Sequence, residues 1–141
     1  MDDSMRTLIE GLNVDLANEY AAVIMYSTYA AAVRGRHRNE LKAFFEGEVA
    51  DELTHASALA NKITALGGQP TTQPAAVPYT EDEAEMLQNV LQAELDTIER
   101  YKTRRGQAEE AGEIGLMSQI EGFIEDESSH RDEIRKILNQ R

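Results

Sequence analysis

Residues 67–79, Gly-Gly-Gln-Pro-Thr-Thr-Gln-Pro-Ala-Ala-Val-Pro-Tyr, contain all three prolines of this 141-residue chain. Long segments with helical periodicity flank this stretch on both sides, which predicts a linker between two helical halves. Its 13 residues could span about 43 Å at roughly 3.3 Å each, the length of a helix of about 28 residues. The linker is therefore long enough to run from one end of a helical bundle to the other.

Each half of the chain has the pattern of a helical hairpin. In the first half, apolar stripes on either side of Gly35 predict two helices, and in the second half residues 112–115 separate two more. Thr80, with Glu83 three places later, has the pattern of a capping box and predicts the start of the third helix. No segment shows strand-like alternation. We predict one all-α domain over residues 1–141, a four-helix bundle of two antiparallel hairpins joined by a long crossover.

The two halves repeat each other with a shift of 75 residues. Core positions related by this shift are Leu12 and Leu87, Leu41 and Leu116, Phe45 and Ile120, Leu59 and Ile134, and Ile63 and Leu138. Polar positions related by the same shift are Glu19 and Glu94, Glu52 and Glu127, His55 and His130, and Tyr26 and Tyr101. The polar residues are therefore duplicated with the core, as expected of a site shared by both halves.

The duplicated polar residues predict a site for two metal ions. Within Glu52–His55, as within its repeat, the two side chains stand one turn apart on one helix face and can reach a common point. A lone Glu on the preceding helix supplies a third ligand. Burying these groups without partners would cost on the order of several kcal/mol per charge, which two divalent cations would offset. The six candidate ligands are Glu19, Glu52, His55, Glu94, Glu127 and His130.

Oxygen-rich ligation with one imidazole per metal favours iron first and manganese second, because zinc prefers more nitrogen or sulfur and calcium seldom takes imidazole.

Five further residues lie close to the candidate ligands in the sequence. Tyr26 and Tyr101 are either core tyrosines or hydrogen-bond or redox partners of the site. Asp51 and Asp126 either orient ligands and guide cations or are solvated. Glu48 is either an extra carboxylate on an access route or a partly exposed structural acid.

Composition excludes several other classes of function. The net charge of −12, from 26 acidic and 14 basic residues, disfavours nucleic acid as a partner. The absence of cysteine excludes disulfides, thiolate-bound clusters and thiol nucleophiles. The acidic start and the lack of a long apolar run give no signal peptide or membrane span, so we expect a cytoplasmic protein with no membrane partner.

On the doubled Glu-x-x-His motif, the chain resembles the bacterioferritin branch of the ferritin-like superfamily from Leu8 to Leu138. The resemblance implies a ferritin-like bundle and a ferroxidase that oxidises Fe(II) with O2 or H2O2 for iron detoxification and ferric storage. It also implies the arrangement of two irons. One iron has Glu19 and His55 as terminal ligands, the other has Glu94 and His130, and Glu52 and Glu127 bridge them.

Three departures from related families narrow this expectation. Leu53 stands where bacterioferritins place a haem-ligating Met, so we expect no haem at the usual bacterioferritin site. Thr97 stands where rubrerythrin-like relatives carry a further Glu, which disfavours that peroxidase branch. The 11 residues after His130 leave no fifth helix of the kind found in 24-subunit cages, and no lysine-rich tail of the kind found in DNA-binding Dps proteins.

We expect a homo-oligomer, either a dimer or a dodecamer. Extra apolar residues on the first helix favour such an interface: Ile9, Leu16, Tyr20, Ile24 and Met25.

Two alternatives to a ferroxidase stay open. One is a di-metal oxygenase or peroxidase acting on an organic substrate, which needs an access pocket beside the metals. The other is a metal-stabilised structural oligomer, which would oxidise iron no faster than buffer does.

Overall fold

The computed structural model describes all 141 residues and contains four helices and no strand. They are α1 (Asp3–Ala32), α2 (Arg38–Ala65), α3 (Glu83–Glu110) and α4 (Ile114–Ile137). The all-α prediction is confirmed. None of the helices combines the length and the apolar content needed to cross a membrane.

The helices pair as two hairpins that pack face to face. Helix α1 lies along α2, α3 lies along α4, and α1 also packs against α3. Residues later in α1 contact residues earlier in α3. Glu19 receives a hydrogen bond from Tyr101, whereas Tyr29, further along α1, receives one from Asn89, nearer the start of α3. These two helices are therefore antiparallel, as a pseudo-twofold relation between the hairpins requires.

The crossover between α2 and α3 runs the length of the bundle, as the 13-residue linker predicts, and it lies along α1. Near the start of α1, the Asn13 side chain donates to the Gln69 carbonyl at 3.0 Å. In the middle, the Ala75 amide donates to the Ala17 carbonyl at 2.9 Å. Towards the end, the Tyr29 hydroxyl donates to the Pro78 carbonyl at 2.7 Å. The crossover thus returns the chain to the end of the bundle where α3 begins.

The start of α3 differs from the predicted capping box. The N-cap is Asp82, whose carboxylate accepts from the Glu85 amide at 2.9 Å, and the helix begins at Glu83. Thr80 instead accepts from the Asp82 amide at 3.1 Å, in a turn outside the helix. An Asp is at least as good an N-cap as a Thr, and its charge interacts favourably with the helix dipole. The prediction of Thr80 as the cap was therefore wrong by two residues.

Polar residues divide the core into two apolar clusters of 12 buried residues each. One cluster, around Leu12 and Ile120, fills the end of the bundle near the start of α1. The other, around Phe45 and Leu91, fills the opposite end. Buried carboxylates and imidazoles lie between them. Apolar packing at both ends of the bundle therefore holds the polar middle layer in place.

The predicted oligomer face on α1 is largely wrong. Ile9, Leu16 and Met25 are buried in the core of the chain itself, and only Ile24 is exposed, with Tyr20 half-buried beside it. Helix α1 contacts α2, α3 and the crossover, so more than one apolar stripe is covered within a single chain. The apolar surface of α1 therefore reflects its three-sided packing more than a subunit interface.

Candidate metal centre

All four helices contribute to the polar middle layer. Helix α1 supplies Glu19, α2 supplies Glu52 and His55, α3 supplies Glu94, and α4 supplies Glu127 and His130. Each of these six residues is at most 6% exposed. The helical spacing places each Glu-x-x-His pair on the inward face of its helix, one turn apart. The structure therefore brings the six candidate ligands together in the core.

The possible ligand atoms form two groups. In each group the atoms lie within 4.8 Å of one another, close enough to surround a single ion. The first group contains Glu19, Glu52, His55 and Glu127, and the second contains Glu48, Glu52, Glu94 and His130. Glu52 belongs to both groups, which is the position that a bridging carboxylate would occupy.

The two histidines are oriented by aspartates of the opposite hairpin. His55 Nε2 lies 2.9 Å from Asp126 Oδ2, and His130 Nε2 lies 3.0 Å from Asp51 Oδ2. A proton on Nε2 satisfies these contacts, and Nδ1, which faces the carboxylates, is then the nitrogen left to bind a cation. Both aspartates are nevertheless about half exposed, at 57% and 58%. Both alternatives considered for them therefore describe part of what is found.

Two tyrosines bind the carboxylates of the opposite hairpin. The Tyr26 hydroxyl donates to Glu94 Oε1 at 2.7 Å, and the Tyr101 hydroxyl donates to Glu19 Oε1. Burial, followed by the charge of the neighbouring Glu, raises the pKa of each tyrosine well above its usual value. Each tyrosine therefore stays protonated as a donor and fixes one oxygen of a candidate terminal ligand, leaving the other oxygen for a cation.

Seven buried atoms of this layer have no partner in hydrogen-bonding geometry, although His130 Nδ1 lies 2.8 Å from Glu48 Oε2 and His55 Nδ1 lies 3.0 Å from Glu127 Oε1. They are Glu19 Oε2, Glu48 Oε2, Glu52 Oε1, His55 Nδ1, Glu94 Oε2, Glu127 Oε1 and His130 Nδ1. Unsatisfied buried polar atoms are rare in folded proteins and cost about 1–3 kcal/mol each, more when charged. Five of them are carboxylate oxygens and two are imidazole nitrogens, and they converge from four helices. Carboxylate oxygens and imidazole nitrogens aimed at a common space fit two divalent cations.

The charges within the layer oppose one another when no cation is present. Burial, followed by the charge of Glu52, raises the pKa of Glu19 well above its ordinary value, and burial likewise raises the pKa of Glu52 and Glu127. Burial acts to raise the pKa of Glu94 too, but hydrogen bonding with Glu127 and His130 outweighs it and lowers that pKa. The cluster therefore retains protons that metal binding would displace.

Glu48 is not the partly exposed structural acid considered above. Its exposure is 8%, and its Oε2 lies 2.8 Å from His130 Nδ1. The residue related to it by the repeat is Phe123, whose ring lies 4.4 Å from the ring of His55. One half of the centre thus has an additional carboxylate where the other half has an aromatic ring. Glu48 was a candidate because it lies near Glu52 in the sequence, but the repeat could not settle its role, since Phe123 is not a carboxylate.

Known proteins support a family assignment. Residues 9–141 match the family model of the ferritin-like domain. The chain is 30% identical over 130 residues to a bacterioferritin of Desulfovibrio desulfuricans, covering 92% of this chain and 73% of that protein. A crystal structure described as a ferritin-like, diiron-carboxylate protein of Bacillus anthracis is 47% identical, with a TM-score of 0.96 over 98% of this chain and 99% of that one.

A Dps protein of Bacillus brevis shares the fold at 20% identity, with a TM-score of 0.91 over 98% of this chain and 99% of that one. The family model and the similar structures agree with the prediction drawn from the doubled Glu-x-x-His motif of this sequence. The chain therefore belongs to the ferritin-like family of di-iron carboxylate proteins.

Proposed function

We propose that this chain is a ferroxidase that binds two Fe(II) ions in the polar middle layer and oxidises them with O2 or H2O2. The observation that supports this proposal is the convergence of five buried carboxylate oxygens and two imidazole nitrogens on one space. Each Fe(II) gives up one electron, so two ions together with two protons from solvent convert O2 to H2O2, or H2O2 to two water molecules. The protein holds both ions beside each other and balances their charge.

The proposal assigns a role to each candidate residue. Glu52 and Glu127 bridge the two ions, Glu19 and His55 are terminal ligands of one, and Glu94 and His130 are terminal ligands of the other. The aspartate contacts hold the imidazole rings so that Nδ1 faces the metal. The tyrosine contacts hold the terminal carboxylates. Manganese is the second choice of metal for the same ligand set.

The proposed role in the cell is iron detoxification, with storage of ferric mineral where an oligomer encloses a cavity. We propose a homo-oligomer, a dimer or a dodecamer, and the exposed apolar side chains Val14, Ile24 and Leu53 support association. Leu53, 50% exposed, offers no electron pair to a haem iron at the usual bacterioferritin position. We accordingly propose a protein that carries no haem there.

Replacing a bridging carboxylate tests the proposed chemistry. We expect Glu127→Ala to reduce the rate of aerobic Fe(II) oxidation by about 100-fold or more, because one ligand of both ions is lost. The rate is followed by the rise in ferric absorbance against protein-free buffer. Glu121→Ala, which removes an exposed carboxylate from the same helix, is the matched control and should match wild type. Equal rates for all three proteins would refute the assignment.

One observation favours a second candidate function, a di-metal oxygenase or peroxidase acting on an organic substrate. A cavity of about 240 Å³ reaches Glu52, Glu94 and Glu127 from the side of the crossover. An oxygenase would consume an organic compound together with the oxidant, whereas a ferroxidase consumes only Fe(II) and oxidant. A metal-stabilised structural oligomer would oxidise Fe(II) no faster than buffer. Measuring which reactants disappear separates the three.

A further inference from the structure

The cavity beside the polar layer connects the surface to the candidate ligands. It lies between α1 and α3, beneath crossover residues 76–78, and its inner end is formed by Glu52, Glu94 and Glu127. Exposed residues of α3, Gln92 and Asp96, line its outer end. Its volume of about 240 Å³ leaves room for several water molecules. A small ligand could therefore reach the metal positions from this side.

The cavity lies where the internal repeat diverges. Three positions of α1 that line it carry small or apolar residues, and their counterparts on α3 carry polar or charged ones. The pairs are Ala21 and Asp96, Ala22 and Thr97, and Met25 and Arg100. The two alanines leave the space open, and α3 supplies the groups that could bind a ligand in it. The candidate metal ligands are the same residue types in both halves, whereas the residues that line the cavity differ between the halves.

Arg100 is the one positively charged side chain lining the cavity, and the protein leaves much of its hydrogen-bonding capacity unused. Its Nη2 donates to Thr97 Oγ1 at 2.9 Å, while its Nε is buried without an acceptor and no carboxylate pairs with it. Arg104, one turn further along α3, instead binds Asp15 through two nitrogens, at 2.7 and 3.1 Å. A guanidinium with unused donors suits the oxygens of a carboxylate or phosphate.

We propose that this cavity binds a small oxyanion, inorganic phosphate or a short carboxylate, through Arg100 and Thr97, next to the metal pair. The proposal rests on the proposed two-metal function, because ionised carboxylates at the inner end repel an anion, whereas two divalent cations there attract it. The Asp96 carboxylate at the outer end accepts a hydrogen bond from Gln92 at 2.9 Å, and it adds to this repulsion. Oxyanion binding therefore requires the metals.

The test uses protein loaded with Co(II), which does not react with the oxyanions and whose visible absorption reports anions that reach the metal. Metal content is measured first, and inorganic phosphate and acetate are then titrated separately by absorption and calorimetry. We expect saturable binding of at least one of them to the loaded protein and none to the metal-free protein. Arg100→Gln should weaken binding about tenfold or more, as expected for loss of a charge-assisted contact.

Two further variants keep the test specific. Ala22→Met fills the cavity from α1 without changing charge and should also weaken binding, whereas Arg105→Gln removes an exposed charge from the same helix and should not. Undiminished binding in Arg100→Gln, or equal binding without metal, would overturn the proposal. Metal loading without binding of either anion would overturn it and leave the ferroxidase proposal standing. Failure to load metal would overturn both. Tighter phosphate binding identifies a mineral-forming anion, and tighter acetate binding an organic ligand.

Discussion

At the scale of single residues, a glycine in α1 makes room for a buried ion pair. Arg104 and Asp15 are 6% and 2% exposed, and the guanidinium lies against the backbone of α1 at Gly11. A Cβ at Gly11 would lie only 1.8 Å from Arg104 Nη1. The pair lies one turn from Glu19 and from Tyr101, so it braces the helix segments that carry one terminal ligand and its hydrogen-bond partner.

Glycine to alanine normally stabilises a helix, but at Gly11 we expect it to destabilise the protein. Gly11→Ala forces the guanidinium away and leaves buried charge without its partner, so we expect a loss of about 1–3 kcal/mol in the free energy of unfolding. Urea denaturation measures it. Gly122→Ala, at a helical glycine with open space around it, is the control and should gain up to about 1 kcal/mol. A stabilised Gly11→Ala protein would contradict this account of the ion pair.

Residues that recur with the 75-residue shift could be identified from the sequence, because a duplicated pattern on two helix faces implies a shared centre. Glu48 could be named as a candidate but its burial could not be predicted, and the Asp15–Arg104 pair could not be identified, since the counterparts of these residues are Phe123, Val90 and Tyr29. Whether such a charged residue faces solvent or the core depends on the packing of the other helices. Periodicity within one helix does not contain that information.

At the scale of elements, the crossover is held to α1 by a side chain that bonds it twice. Asn13 Nδ2 donates to the Gln69 carbonyl at 3.0 Å, and Asn13 Oδ1 accepts from the Thr71 amide at 2.8 Å. The sequence predicted a crossover of the right length. Its path along α1 could not be predicted, because that path depends on contacts between residues more than 50 positions apart.

Removing this side chain tests how much the attachment contributes. We expect Asn13→Ala to lower the free energy of unfolding by about 1–2 kcal/mol, because two hydrogen bonds are lost and the Thr71 amide is left without its acceptor. Asn61→Ala, which removes a local hydrogen bond to Ser57 on the exposed surface of α2, should cost less than about 0.5 kcal/mol. Equal losses in the two variants would show that the crossover is not held by Asn13.

At the scale of the whole molecule, the buried carboxylates couple stability to pH and to metal. The pKa values of Glu19, Glu52 and Glu127 are raised above their ordinary value of 4.5, so the folded chain holds more protons than the unfolded one above that pH. Their contribution to stability is therefore fully present below about pH 4.5 and is lost as pH rises through the folded pKa values. Bound cations replace those protons and remove this loss.

Metal-free protein should consequently become less stable between about pH 5 and about pH 7.5. The free energy of unfolding should fall by about 1.4 kcal/mol per pH unit for each extra proton that the folded chain holds and releases on unfolding. Protein with Mn(II) should instead become more stable over the same range, because deprotonated carboxylates bind the ion. Urea denaturation with a chelator and with Mn(II) provides both measurements. A metal-free protein that gains stability with rising pH would show that these carboxylates are not the groups that dominate.

The most direct test of the central claim, two adjacent metal ions in the polar middle layer, is anomalous diffraction at the iron edge from crystals equilibrated with Fe(II) without oxygen. We predict two peaks per chain, about 3.5–4 Å apart, one beside His55 Nδ1 and one beside His130 Nδ1, with Glu52 and Glu127 between them. A single peak, or peaks confined to the exposed acidic surface, would contradict the assignment of this layer as a two-metal centre.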